Sequence, residues 1–343
     1  MVELEEIKKE AKRVLTEEKV KYLIGYKRAT NGFLAAPAFI EDPKDVDQLI
    51  WDATCVQNLA RFLVDEKRKK SRQKEPDDRP VAIIAKGCDT RAVNVLIQEK
   101  YIERKDVYII GVSCEKAGVA DPKKIAGKLN GKIAESVQFG EDGQLSIVTN
   151  DGNVNVPAEE ILAERCLECK ANFPVVYDVI FGEDTAKKSG NYFQSLESVE
   201  SLSPDERWNV WKEQMDKCLR CYACRSACPM CYCEECVVDS INLAVSVDTT
   251  AEEKADKIRW IEKSPDLSEN VFYHVIRALH LAGRCIDCAE CERVCPVDIP
   301  LRHLNKKMEK EAKVQFDYEA GFDPEKPALV SSFRDEDPQD FIK

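Results

Sequence analysis

The chain has 343 residues, 44% of them hydrophobic, with 16 cysteines and a formal net charge of −12. Such a length and apolar share can fill two domain cores, and the acidity excludes the basic footprint that nucleic acid requires. The opening MVELEEIKKEAKRVL lacks the positive start and apolar centre of a signal peptide, and no apolar run matches a membrane span, so a cytoplasmic protein with no membrane span is expected.

In chain order, Leu4, Ile7, Ala11 and Leu15 recur at helical spacing and predict a helix over 2–18 with one docked face. A second helical pattern covers 45–67 and precedes EKRKKSRQKEPDDRP, which reads as a solvated loop. The apolar runs VAIIAKG and DVYIIGV flank the amphipathic TRAVNVLIQEKYI, the signature of a βαβ unit with a parallel sheet. QLSIVTNDGNVNV predicts a hairpin turning at Asn150-Asp151-Gly152. Residues 184–204, rich in Ser and Glu, read as an interdomain linker. From 205 to 318 the patterns are helical, as in NVFYHVIRALHLA, and are broken by cysteine clusters. Residues 319–343 have proline and no periodicity, which predicts an extended tail whose Phe333 and Phe341 lie along a partner.

In a cytoplasm that keeps thiols reduced, so many cysteines point to metal or redox chemistry rather than disulfides. Cys218, Cys221, Cys224 and Cys228, followed by Pro229, follow C-x2-C-x2-C-x3-C-P. Cys285, Cys288, Cys291 and Cys295, followed by Pro296, repeat it. A loop of this spacing wraps three thiolates around one 4Fe-4S cube and sends the fourth to the other cube. The expected sets are Cys218, Cys221, Cys224 with Cys295, and Cys285, Cys288, Cys291 with Cys228. Structural zinc, bound by two cysteine pairs in a tetrahedron, has no use for a third thiol at every third position. The long helical stretch between the motifs, and GRCIDCAECERVCPVDIPL above all, resembles the α-helical ferredoxin domains of heterodisulfide reductase and succinate dehydrogenase subunits.

Cys88 in AKGCDTR and Cys114 in IIGVSCEKAG each follow an apolar strand, and Cys166 and Cys169 form a CxxC further on. Ends of parallel strands are where such sheets place ligands, so a fourfold thiolate set and plain buried thiols both fit these positions. At these residues the chain resembles the beta-subunit family of coenzyme F420-reducing hydrogenases and F420-dependent formate dehydrogenases. The resemblance implies a 4Fe-4S site on Cys88, Cys114, Cys166 and Cys169 beside FAD, with Asp178 and Gly182 matching later family positions. The family's glycine-rich flavin segment has no counterpart before Cys88, where NGFLAAPAF stands, so FAD is the cofactor at which the chain departs from its family.

Four cysteines remain: Cys55, Cys231, Cys233 and Cys236. They are enough for a fourth cubane, and a structural zinc or unligated thiols are the alternatives; Cys55 also reads as a core residue of the second helix. His274 and His280, on one expected helix, are read as helix-surface residues, although a hydrogen bond from either to a cluster sulfur would raise its potential. Taken together, the expectation is an α/β cluster-binding domain over 1–183, followed by a mostly α-helical ferredoxin domain over 205–318. It would serve as a non-catalytic iron–sulfur electron-transfer subunit of a hetero-oligomeric redox complex. By the resemblance, its partner is a formate dehydrogenase, hydrogenase or heterodisulfide-reductase-like subunit. The rivals are an FAD subunit acting on F420 or a nicotinamide, and a sensor or scaffold with structural clusters.

Overall fold

The chain divides into two units, Met1–Tyr192 with Ala320–Phe333 and Phe193–Glu319 with Arg334–Lys343. The computed structural model describes residues 4–30, 32–114, 118–140, 144–185, 191–234, 236, 238, 248–256, 261 and 264–332.

The first unit runs α1 (Leu4–Thr16), β1 (Leu23–Arg28), β2 (Ala35–Ile40), α2 (Ala60–Ser71), β3 (Val81–Ala85), α3 (Gly87–Gln98) and β4 (Val107–Val112). It continues with α4 (Pro122–Lys128), β5 (Ala134–Phe139), β6 (Gln144–Thr149), β7 (Gly152–Pro157), α5 (Ala158–Ile161), α6 (Glu164–Leu167) and β8 (Val179–Phe181). The main sheet has the order β2-β1-β3-β4-β8. Its β1, β3, β4 and β8 are parallel, and β2 joins β1 antiparallel at the edge. Every residue of β3 is buried, as expected of a strand covered on both faces. The βαβ unit of β3, α3 and β4 is the one the apolar runs predict. Ile7, Ala11, Val14 and Leu15 of α1 are buried against this sheet in a core with Leu23, Ile84 and Ile110.

The strands β5, β6 and β7 form a separate antiparallel sheet. The predicted hairpin joins β6 to β7, with Thr149 opposite Gly152, whose φ of +91° suits a residue without Cβ.

The predicted helix over 45–67 is a 3-10 turn (Pro43–Gln48), an irregular stretch, and then α2. Asp42 caps the 3-10 turn by accepting the Lys44 N–H at 2.9 Å, whereas Asp52 accepts the Thr54 N–H at 2.8 Å, a local turn that competes with helix. From Ala60 the helix then runs on into the charged stretch read as a loop, with Arg68, Lys69 and Lys70 in its last turn, where the helix dipole favours cations.

Residues 320–332 return to the first unit instead of extending. Arg91 Nε donates to the Ala320 carbonyl at 3.0 Å, Asn94 Nδ2 to that of Gly321 at 3.1 Å and Gln98 Nε2 to that of Lys326 at 2.6 Å. The rest of the expected tail, with Phe333 and Phe341, lies outside the described residues.

The second unit is helical: α7 (Gln194–Glu200), α8 (Pro204–Asp216), α9 (Ala223–Ala227), α10 (Ala251–Asp256), α11 (Leu267–His280), α12 (Glu290–Arg293) and α13 (Leu301–Phe316). The stretch read as a linker holds α7, whose Glu200 carboxylate pairs with Lys307 at 2.8 Å and with Lys310 on α13. At α8 a capping box forms, with Ser203 Oγ accepting from the Glu206 N–H and Glu206 accepting from the Ser203 N–H. Among the described residues no helix is long and apolar enough to cross a membrane.

Candidate metal centres

Two hollows in the second unit gather cysteines crosswise from the two motifs. One, of about 350 Å³, is lined by Cys218, Cys221, Cys224 and Cys295. The other, of about 370 Å³, is lined by Cys228, Cys285, Cys288 and Cys291. The loops that present them share a backbone device. Arg220 and Tyr222 in the first motif, and Asp287 and Ala289 at the same positions in the second, have φ of 53°, 61°, 54° and 53°. These left-handed residues turn the loop so that successive cysteines face inward, and one-turn helices, α9 and α12, follow.

Donors already aim at the sulfurs. The Arg220 N–H reaches Cys218 Sγ at 3.4 Å, the Ile299 N–H reaches Cys295 Sγ at 3.4 Å and Asn305 Nδ2 reaches Cys291 Sγ at 3.4 Å. Burial pushes the Cys224 and Cys285 thiols up and that of Cys291 up to about 12. A cationic core bound in the hollow would reverse that preference and draw the thiols into thiolates, which these N–H groups would stabilise. Among the described residues no three Cys, His, Asp or Glu side chains converge closely enough to share a single metal ion. Thiols spread around a hollow suit a polynuclear cluster better than one zinc.

His274 is buried, not on the helix surface, and its Nε2 lies 3.3 Å from Cys218 Sγ. Burial, with the charges of Arg277 and Arg220, holds the ring neutral by lowering its pKa to about 3. A ligand thiolate would have no proton to give, so with Cys218 holding a metal the Nε2–H would donate in that contact. Asn270, Tyr273, His274, Arg277 and Ala278 share one buried face of α11 at helical spacing. Arg277 is buried too, donates from Nη2 to the Cys224 carbonyl at 3.0 Å, and has the thiols of Cys231, Cys224, Cys228 and Cys291 as neighbours. Beside the second hollow, the buried carboxylate of Asp287 takes Arg302 Nε at 2.7 Å, Arg302 Nη2 at 2.9 Å and Lys306 Nζ at 2.6 Å.

A third hollow of the second unit, about 420 Å³, is lined by Cys231, Cys233, Cys236 and His280 together with Arg225, Arg277, Arg284, Met230, Val238 and Leu281. A hydrogen bond from Cys228, and the nearby Arg277, lower the Cys231 thiol to about 5. Cys55 belongs to the first unit, where it is buried; its Sγ accepts the Asp52 N–H at 3.4 Å, and burial pushes it up to about 12.

In the first unit Cys88 opens α3 just past β3, and Cys114 follows β4. The Cys114 N–H donates to the Asn172 carbonyl at 2.8 Å, which ties it to the loop of the CxxC pair. Burial, and then the neighbouring Cys169 and Cys166, push the Cys114 thiol up to about 12. Cys88 is raised by burial and Asp89, with Cys114 also beside it. Cys166 Sγ accepts the Val119 N–H at 3.4 Å, and Cys169 Sγ accepts the Ala171 N–H at 3.3 Å. Asp178 joins β4 to β8 by accepting the Ile109 N–H at 2.7 Å and pairing with Arg104 at 2.9 Å, and Gly182 ends β8 with φ of +87°. Next to Cys88, buried Lys86 pairs with Asp89 at 2.9 Å and bonds the Tyr26 hydroxyl, a cation that sequence reading missed.

Gly87 lets the CxxC loop dock. A Cβ there would sit 1.9 Å from the Ala171 carbonyl oxygen. That contact seats the cysteine loop on the start of α3. Gly87→Ala is expected to unseat the loop and destabilise the first unit by about 1–3 kcal/mol. Urea unfolding checks this, and an unchanged midpoint would show that the loop yields.

The α/β unit carries cysteines just past the ends of β3 and β4, and the helical unit has two hollows each lined by four cysteines. Residues 78–202 match a family described as the C terminus of the coenzyme F420 hydrogenase/dehydrogenase beta subunit. The chain is a relative of these beta subunits. It is 23% identical to the F420-dependent formate dehydrogenase subunit beta of Methanocaldococcus jannaschii, over 93% of this chain and 92% of that one. It is also 23% identical to the F420-dependent formate dehydrogenase 1 subunit beta of Methanococcus maripaludis, over 90% of this chain and 88% of that one. A chain of the xenon-derivatised F420-reducing [NiFe] hydrogenase complex of Methanosarcina barkeri aligns over 47% of this chain and 57% of its own length, at 15% identity and a TM-score of 0.36.

Proposed function

We propose that the chain is an iron–sulfur electron-transfer subunit of a multi-subunit redox complex. It carries 4Fe-4S clusters on Cys218, Cys221, Cys224 and Cys295, on Cys228, Cys285, Cys288 and Cys291, and on Cys88, Cys114, Cys166 and Cys169. The observation that carries this reading is the crossing: each hollow takes three cysteines from one motif and the proline-marked fourth from the other. Clusters so placed pass single electrons and offer no substrate pocket, so catalysis belongs to a partner. The names of the relatives support a formate dehydrogenase or hydrogenase subunit as that partner, with a second carrier at the other end of the relay.

Anaerobic protein titrated with dithionite should show several reducible clusters by electron paramagnetic resonance and no stoichiometric flavin. A flavin bound one to one would favour an FAD subunit acting on F420 or a nicotinamide instead. In the same titration, His274→Phe is expected to shift one cluster, that of the hollow it borders, to a more negative potential, because a sulfur loses its N–H donor. Potentials unchanged in that variant would make His274 a packing residue only.

A further inference from the structure

The third hollow has a donor set that the crossed pattern does not use. Its lining supplies three thiols, from Cys231, Cys233 and Cys236, and one imidazole, from His280, with the Met230 thioether as the remaining soft atom. In size it matches its two neighbours, about 420 Å³ against 350 and 370 Å³. The side chains that frame it are held in place: Arg225 Nη2 donates to the Cys233 carbonyl at 3.4 Å, and the Arg284 guanidinium lies 5.0 Å from the centre of the Tyr232 ring.

Charge points the same way. Arg225, Arg277 and Arg284 line the hollow, and Arg277 is buried. Buried guanidinium charge requires an anion nearby. A cubane carrying three thiolates is an anion. A structural zinc on three cysteines and a histidine is the rival occupant, which metal analysis separates from a cluster. Cys55, which sequence counting offered as the fourth ligand, is buried in the first unit and is not among the residues lining this hollow.

We propose that Cys231, Cys233, Cys236 and His280 bind a further 4Fe-4S cluster, with three thiolates and one imidazole nitrogen as its ligands. Cys233 and His280 are exposed, so this cluster lies where an external electron carrier can approach it. The site borders the hollow of Cys228, with which it shares Met230 and Leu281 in its walls. This assignment extends the iron–sulfur reading above and rests on it.

The test uses full-length protein purified anaerobically. Cys233→Ser is expected to lose about four irons per chain and Cys55→Ser none. The parent should show a nitrogen hyperfine coupling of directly bound imidazole on one cluster. His280→Cys should keep the iron and lose that coupling, a readout that a misfolded variant cannot imitate. Iron unchanged in Cys233→Ser, zinc in place of those irons, or a parent without the nitrogen coupling each overturns the site while leaving the crossed clusters standing. Loss of iron in Cys55→Ser with the His280 signal absent would return the fourth ligand to Cys55. A parent without iron at all would defeat the underlying reading instead.

Discussion

Anaerobically purified protein is expected to carry roughly twelve to sixteen irons per chain with matching sulfide, and Cys228→Ser to lose about four of them. The choice of Cys228 makes this a test of the crossing. In sequence it closes the first motif, yet in space it lines the hollow of Cys285, Cys288 and Cys291. Its loss should therefore bleach the cluster of the second motif and leave that of Cys218, Cys221, Cys224 and Cys295 intact. Pairing this variant with Cys288→Ser sharpens the comparison, because both should remove the same spectral component and the double variant no more than either alone. Loss of the first-motif cluster from Cys228→Ser would mean that each motif closes on itself. Zinc replacing iron throughout would sink the electron-transfer reading.

Asp287→Asn should cost about 3–5 kcal/mol of stability in the second unit, the range for breaking a buried ion pair from one side. The carboxylate sits between Arg302 and Lys306, all three side chains at most 4% exposed, so removing its charge takes an anion from beside two buried cations. Asparagine is the informative replacement, since Asp287 has φ of 54° and asparagine tolerates that conformation. The backbone of the cysteine loop is then preserved and only the charge is lost. Urea unfolding of the iron-loaded protein measures the cost. Replacing Asp287, Arg302 and Lys306 together by apolar residues should recover most of it, because no unpaired charge then remains. A single variant as stable as the parent would mean that Glu290 or Glu309, also buried, takes over the cations.

Much of the site was legible because ligand chemistry is written in spacing: cysteines at fixed intervals with proline after the fourth leave few arrangements open. The strands β3 and β4 were equally plain, since buried parallel strands are continuous apolar runs. Other elements left weaker traces. In β2, Pro37 argues against a strand, and it is tolerated there because β2 lies at the sheet edge. Segment α7 reads as a linker because its polar residues outnumber its apolar ones, yet Leu196 is buried and Glu200 binds two lysines. The buried polar face of α11 was hidden for a physical reason. Periodicity is sought among apolar residues, and here Asn270, His274 and Arg277 stand where leucine would ordinarily be. Such residues go unseen by hydropathy whenever a charged or hydrogen-bonding cargo, not an apolar core, is what they face.

The left-handed turns at Arg220, Tyr222, Asp287 and Ala289 bear on the order of events during biosynthesis. Each holds a side-chain-bearing residue in a conformation that costs about 1–2 kcal/mol. A nascent chain awaiting its inorganic cargo has no reason to hold four such turns, and its cysteine loops would spring toward relaxed, protease-accessible shapes. On the iron–sulfur reading proposed above, insertion of iron and sulfide would complete the helical unit rather than follow its folding. In an iron-starved cell the abundance of this protein would be governed by degradation of unfilled chains, with the α/β unit outlasting its helical neighbour in partial digests.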